Sequence, residues 1–212
     1  MKKNKPGLFI TFEGIDGCGK TTQLRLAEQY LRKVGLQTLK LREPGSAPLS
    51  EKVRRILLDK NLRVDPYPEL LLYLAARGQL VNETIAPELQ KGTIVLCDRF
   101  HDSTIAYQGY GRRLDLNFIE QLRRKLVGKV APARTYIFDV DLPTSLSRRK
   151  KTPDRLERES ELFFKRVRAG FRKIARQKPE RVILVNAMRT QSEIHNTVRE
   201  DLAALLLRNK LL

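Results

Sequence analysis

Eight residues, Gly14 to Thr21, constrain this chain more than any others: they read G-I-D-G-C-G-K-T, a glycine, four residues, then Gly-Lys-Thr. The flanks give the string its meaning. The apolar run Leu8 to Phe12 precedes it and a helical pattern from Thr22 to Arg32 follows, so the loop falls where a strand hands over to a helix. Gly14, Gly17 and Gly19 lack a β-carbon, which lets the loop curl and turn successive backbone N–H groups toward an anion. The helix N-terminus behind it adds partial positive charge. Lys20 reaches β- and γ-phosphate oxygens as a point charge, and the Thr21 hydroxyl is a hard-oxygen ligand suited to Mg²⁺. Ile15, Asp16 and Cys18 complete the expected triphosphate cradle.

The rest of the chain alternates β and α patterns, the signature of a parallel sheet covered on both faces. Five strands are predicted, at Leu8–Glu13, Thr38–Leu41, Thr93–Cys97, Thr135–Val140 and Val182–Asn186. Residues Pro66 to Leu89 read as one long helix with Leu70, Tyr73, Leu74, Arg77 and Leu80 at helical spacing, and helices also follow near Leu116–Val127 and Ser192–Leu207. The third strand ends in Asp98-Arg99; a carboxylate there is placed to hold the metal or its water shell beside the glycine-rich loop. Without repeats or linkers, residues 1–212 read as a single α/β domain of P-loop type.

Composition sets outer limits. The formal net charge of +18 favours anionic partners, nucleotides or nucleic acid. No apolar run reaches the roughly 18 residues of a membrane span, and residues 1–5 do not form a signal-peptide pattern, so the chain reads as cytoplasmic with no membrane partner. Cys18 and Cys97 do not make a metal cluster; both fall near the glycine-rich loop, and their oxidation to a pair is one reading of them. Between the fourth and fifth strands, the basic stretch Arg148-Arg149-Lys150-Lys151-Thr152-Pro153-Asp154-Arg155 suits a short lid, about residues 148–157, that closes over phosphates.

Several ordered motifs together resemble the thymidylate kinase family, which phosphorylates dTMP to dTDP. They are F-E-G-I-D-G-C-G-K-T-T-Q, R-E-P-G, L-L-Y-L-A-A-R-G-Q-L, D-R-F-H-D-S-T-I-A-Y-Q-G and D-R-L-E, running from Phe12 to Glu157. The resemblance implies a nucleoside monophosphate kinase-like fold with a five-stranded parallel sheet, ATP as phosphoryl donor, Mg²⁺ held at Thr21 and Asp98, and direct in-line transfer. It implies that Tyr73 stacks on the base, Arg77 bonds the thymine edge, and Arg99 holds the acceptor phosphate. Ser103 and Gln108 would line the nucleoside pocket, and Tyr107 would crowd the sugar 2′ position. Lys20, Asp16 and Arg99 would act at the transferring group. No arginine stands within residues 15–18, so the resemblance is to the subclass whose catalytic arginine comes from the lid; Arg149 and Arg155 are the leading candidates, and Arg148 matches the basic start of that segment. A homodimer built from helices near the first half of the sheet is also implied, with nucleic acid an unlikely partner despite the charge. A kinase for dUMP or a deoxynucleoside, or a P-loop nucleic-acid-binding protein, are the rival readings. One turn departs from the family pattern: R-E-P-G-G-T is here Arg42-Glu43-Pro44-Gly45-Ser46-Ala47, so Ser46 replaces a glycine.

Overall fold

The computed structural model describes residues 6–148 and 152–212. Strand β1 (Phe9–Glu13) runs into the glycine-rich loop, and helix α1 (Lys20–Lys33) starts immediately after Gly19, whose φ of 87° turns the chain into it. Leu24, Ala27 and Leu31 form the buried stripe of α1. Strand β2 (Thr38–Arg42) and helix α2 (Pro48–Leu58) follow. Helix α3 (Pro66–Leu80) continues through a wide π turn (Val81–Ile85) into α4 (Ala86–Gln90). The run is continuous, as the sequence pattern predicts, but not uniform. Its wide turn comes just before Pro87, whose ring would collide with the carbonyl of residue 83 in a regular α-helix.

Strand β3 (Ile94–Asp98) leads to a short helix α5 (His101–Thr104) and a second π segment (Ile105–Gly111), a stretch to which periodicity assigns no element. Helix α6 (Leu116–Val127) begins at Asp115, whose carboxylate accepts from the Asn117 amide. Then come β4 (Arg134–Asp139), α7 (Leu142–Ser147), α8 (Glu161–Gln177), β5 (Val182–Asn186) and α9 (Gln191–Arg208). A reciprocal capping box between Thr190 and Glu193 starts the last helix. Helix α7 was not legible in the pattern.

All strand pairs are parallel, in the order β2-β3-β1-β4-β5. The sheet therefore reverses its direction of growth at β1, which has β3 on one side and β4 on the other. Loops leaving the carboxyl ends at such a point splay apart and leave a crevice. The glycine-rich loop opens into it, and the register of β1 with β3 sets Phe12 beside Asp98.

Because side chains alternate across a strand, each face of the sheet has its own core. Ile10, Phe12 and Leu96 pack with α1, α8 and α9. Phe9, Val95 and Cys97 pack with Leu80, Val81 and Val127 on the other side. The thiol pairing considered from sequence is not formed: Cys18 and Cys97 are both free and buried, Cys18 in the first cluster and Cys97 in the second. Burial raises the pKa of both thiols, leaving them in the unreactive form.

Candidate active site

The loop after β1 is closely packed. A β-carbon on Gly14 would come within 2.7 Å of the Phe138 carbonyl oxygen, and one on Gly17 within 2.3 Å of that of Ser145. The Ser145 hydroxyl in turn donates to the Asp16 carbonyl at 2.6 Å, so α7 buttresses the loop from behind. Beside it, Thr21 Oγ1 donates to Asp98 Oδ2 at 2.7 Å. Two hard oxygens thus stand together at the mouth of the cradle, a donor set that fits Mg²⁺.

Arg99 follows Asp98 directly, with a φ of 71° that is uncommon for a residue bearing a β-carbon. That backbone turn sends its guanidinium back over the loop. Nη2 donates to Asp16 Oδ1 at 2.6 Å, and Nη1 to the Gly14 carbonyl at 2.9 Å and to Ser103 Oγ at 3.3 Å. Its cation also lies 5.1 Å from the centre of the Tyr107 ring. Lys20 Nζ shares the same Asp16 oxygen at 3.2 Å. Burial alone would raise the Asp16 pKa, but Arg99 and Lys20 outweigh it and hold the carboxyl well below the usual range. Asp16 is therefore a fixed anion clamping two cations.

Across Arg99 lies a single pocket lined by Asp16, Tyr73, Arg77, Arg99, Ser103, Tyr107 and Gln108. The structure thus gathers residues from five segments of the chain that are up to 92 positions apart, from Asp16 to Gln108. Tyr73 is half-buried and Tyr107 buried, its hydroxyl without a hydrogen-bond partner among the described residues. Arg77 is 1 % exposed and held on three sides. Its Nε donates to Glu43 Oε2 at 2.6 Å, Nη1 to Thr104 Oγ1 at 2.9 Å and Nη2 to the Phe100 carbonyl at 3.1 Å. An arginine fixed in this way presents its remaining N–H bonds in one direction.

Four functional neighbours escaped the sequence reading. Arg54 of α2 lines the pocket and donates to the Pro44 carbonyl at 2.9 Å, yet makes no ion pair among the described residues. As one cation among 42 it carries no pattern. Glu69, fully buried on α3, receives Gln108 Nε2 at 2.9 Å and Arg112 at 3.0 and 3.1 Å. Ser145 is the loop buttress described above. Glu13, also fully buried, accepts the Phe100 amide at 2.7 Å and the Ser103 hydroxyl at 2.5 Å.

The described part of the lid, residues 152–157, folds against this pocket, with Asp154 and Leu156 in its wall. Arg155 Nε donates to the Leu57 carbonyl at 2.8 Å, and its Nη2 lies 2.7 Å from Glu69 Oε2. Its partners are on α2 and α3 rather than on the glycine-rich loop. Arg149 lies outside the described residues.

Burial first, and then the charge of Asp102, raise the Glu13 pKa to about 8 against the opposing Ser103, Arg99 and Phe100. The unfolded carboxyl, at 4.5, releases its proton earlier, so stability should fall as pH rises between about 4.5 and 8 and level off above. Glu13→Gln should flatten that slope. Urea unfolding at pH 5 and pH 9 reads it: the variant's loss across the interval should be smaller by at least about 1 kcal/mol, and equal losses would exclude a proton on Glu13.

Residues 12–198 match thymidylate kinase as a family. Thymidylate kinase of Citrifermentans bemidjiense is 50% identical over 85% of this chain and 84% of its own length. That of Deinococcus radiodurans is 44% identical, covering 89% of this chain and 92% of its own. The chain belongs to the thymidylate kinase family. It is a kinase, and the crystal structure of thymidylate kinase from Ehrlichia chaffeensis superposes with a TM-score of 0.76 at 38% identity, over 93% of this chain and 99% of that one. Against the thymidylate kinase pattern, Ser46 keeps the turn that its missing glycine would allow. It adopts a φ of 66°, its hydroxyl accepts from the Arg42 amide at 2.9 Å, and its own amide donates to Glu51 Oε1 at 2.7 Å. Local hydrogen bonds offset the left-handed strain.

Proposed function

We propose that this kinase transfers the γ-phosphoryl group of MgATP to dTMP by direct in-line displacement. One observation carries the reading: a single guanidinium, that of Arg99, touches both the triphosphate cradle through Gly14 and Asp16 and the acceptor pocket through Ser103 and Tyr107. A phosphate bound by Arg99 would stand where it meets the end of a triphosphate in the loop. Asp16 fixes Arg99 and Lys20 before substrate arrives, so neither cation has to reorganise when charge develops. The acceptor phosphate is already a nucleophile as a dianion, and positioning and charge neutralisation make up the catalysis. Thr21 and Asp98 would hold Mg²⁺, which supplies neutralisation of the triphosphate oxygens.

On the acceptor side, Tyr73 offers a face for the base and Arg77 its free N–H bonds for the base edge, with Arg54 a further cation for the phosphate. Tyr107, which lines the same pocket, would crowd the sugar 2′ position, so a ribonucleotide would be disfavoured. An ADP-release assay with dTMP, dUMP, dCMP, dGMP and thymidine at matched concentrations tests this. A clear preference for dTMP is expected; equal use of dUMP would remove the assigned base contacts, and no acceptor-dependent turnover would remove the reading.

The protein is proposed to act as a homodimer. Tyr67 and Leu71 on α3 are 53 % and 50 % exposed, and Phe118 and Leu126 on the adjacent α6 are 37 % and 40 % exposed. The rings of Tyr67 and Phe118 meet at 6.1 Å, making the patch continuous. Sedimentation should give a dimer that Leu71→Glu converts to monomer. A wild-type monomer would reject this face.

A further inference from the structure

Glu69 is no part of the acceptor pocket wall, yet it holds a residue that is. Its carboxylate is fully buried and sits at the centre of a polar cluster. Oε1 accepts from Gln108 Nε2 at 2.9 Å and from Arg112 Nε at 3.1 Å. Oε2 accepts from Arg112 Nη2 at 3.0 Å and has Arg155 Nη2 at 2.7 Å. Arg112 is itself anchored, with Glu159 2.6 Å from its Nη1 and the Phe163 ring centre 4.8 Å from its cation. Glu69 therefore stays in place whether or not Arg155 rests on it. Burial works to raise its pKa, but Arg112, Gln108 and the charge of Arg155 outweigh it and hold the group ionised.

An ionised carboxylate accepts and never donates, which decides the orientation of the Gln108 amide. Turning that amide over would set two acceptors against each other. Nε2 must face Glu69, and Oε1 must face away from it. Gln108 Oε1 receives no hydrogen bond among the described residues, and unlike the Tyr107 hydroxyl it is not sealed from solvent. The surface it keeps opens into the acceptor pocket, which Gln108 lines.

We propose that Glu69 is a positioning residue that fixes Gln108 as a hydrogen-bond acceptor and so selects a pyrimidine carrying N3–H over one with a lone pair at N3. The inference rests on the pyrimidine monophosphate acceptor proposed above. Thymine and uracil carry that N–H; cytosine presents a lone pair, which Oε1 leaves unpaired and repels. Arg77 offers donors and Gln108 an acceptor, the complement of a carbonyl beside an N–H.

Binding of dTMP, dUMP and dCMP near pH 7, measured by calorimetry with competition, tests the role. In Glu69→Gln the new NH₂ should fall on the Gln108 side, because the other position faces both arginines. Gln108 then turns Oε1 inward and shows Nε2 to the pocket. The preference for dUMP over dCMP should fall at least about tenfold, while that for dTMP over dUMP, which differ only by the methyl group, stays unchanged. Gln108→Leu should bring a comparable fall, and adding Glu69→Gln to it no further one. Glu69→Asp, which keeps an anion for the arginines but draws it back from Gln108, should move the preference in the same direction and serves if Glu69→Gln does not fold. Equal weakening toward all three nucleotides makes Glu69 a strut and overturns the proposal, as does a further fall in the double variant. A wild type that prefers dUMP to dCMP, with the preference unmoved in the Glu69 variants, removes only the role of Glu69. A wild type that binds none of the three removes the acceptor reading as well.

Discussion

Lys20→Ala is expected to lower kcat by about 10²- to 10³-fold, the usual cost of removing one preorganised electrostatic stabiliser. The ammonium is 6 % exposed and 3.2 Å from Asp16. Burial and the neighbouring Arg99 work to lower its pKa, yet Asp16 with Cys18 and Asp98 outweighs them, so the charge is retained above the usual lysine range. Its loss leaves no orphaned anion, because Asp16 keeps Arg99 at 2.6 Å. The variant should therefore fold and bind dTMP nearly as before. Steady-state and single-turnover rates, with thermal unfolding as control, distinguish the outcomes. A rise in the KM for ATP with kcat unchanged would show that Lys20 contributes only uniform binding.

Arg155→Ala is expected to reduce kcat by about 10³-fold or more, the lower end of what a mobile arginine supplies to a transferring phosphoryl group, with little change in dTMP affinity. In the structure Arg155 rests on Glu69 and the Leu57 carbonyl, so reaching the phosphoryl requires it to leave that pair. The resting pair is replaceable: Glu69 retains Arg112 and Gln108 when Arg155 is cut back. Equal losses in kcat and dTMP affinity would make Arg155 a wall of the acceptor pocket instead. A loss of stability with turnover intact would leave it a strut between the lid and α3.

The strand-to-helix loop was legible because its demands are local. A cradle of backbone amides needs glycines at set positions, and a strand and a helix announce themselves by period. The same holds for the five strands and for α1, α6 and α9. The two π segments were not legible, since a widened turn changes hydrogen bonding without changing composition. Helix α7 spans only Leu142–Ser147, too short for periodicity to register. Tyr73, Arg77, Arg99, Ser103, Tyr107 and Gln108 were found through the ordered motifs of a family rather than by residue type, for an arginine or tyrosine taken singly carries no role. Arg54, Glu69 and Ser145 had no such motif and emerged only from contact.

The sequence by itself therefore determined the α/β order, the glycine-rich loop and, through its motifs, Tyr73, Arg77, Arg99, Ser103, Tyr107 and Gln108 among the residues that meet in the pocket. Tertiary structure decided how those residues are held. Arg99 touches both the glycine-rich loop and the pocket because β3 pairs with β1 and a left-handed backbone turn aims it at Asp16. Arg155 rests on Glu69 because the lid packs against α2 and α3. Glu13 gains its raised pKa from burial and the charge of Asp102, and Cys18 and Cys97 fall in different clusters of the core. Desolvation and charge pairing depend on distance through space, and separation along the chain does not encode it.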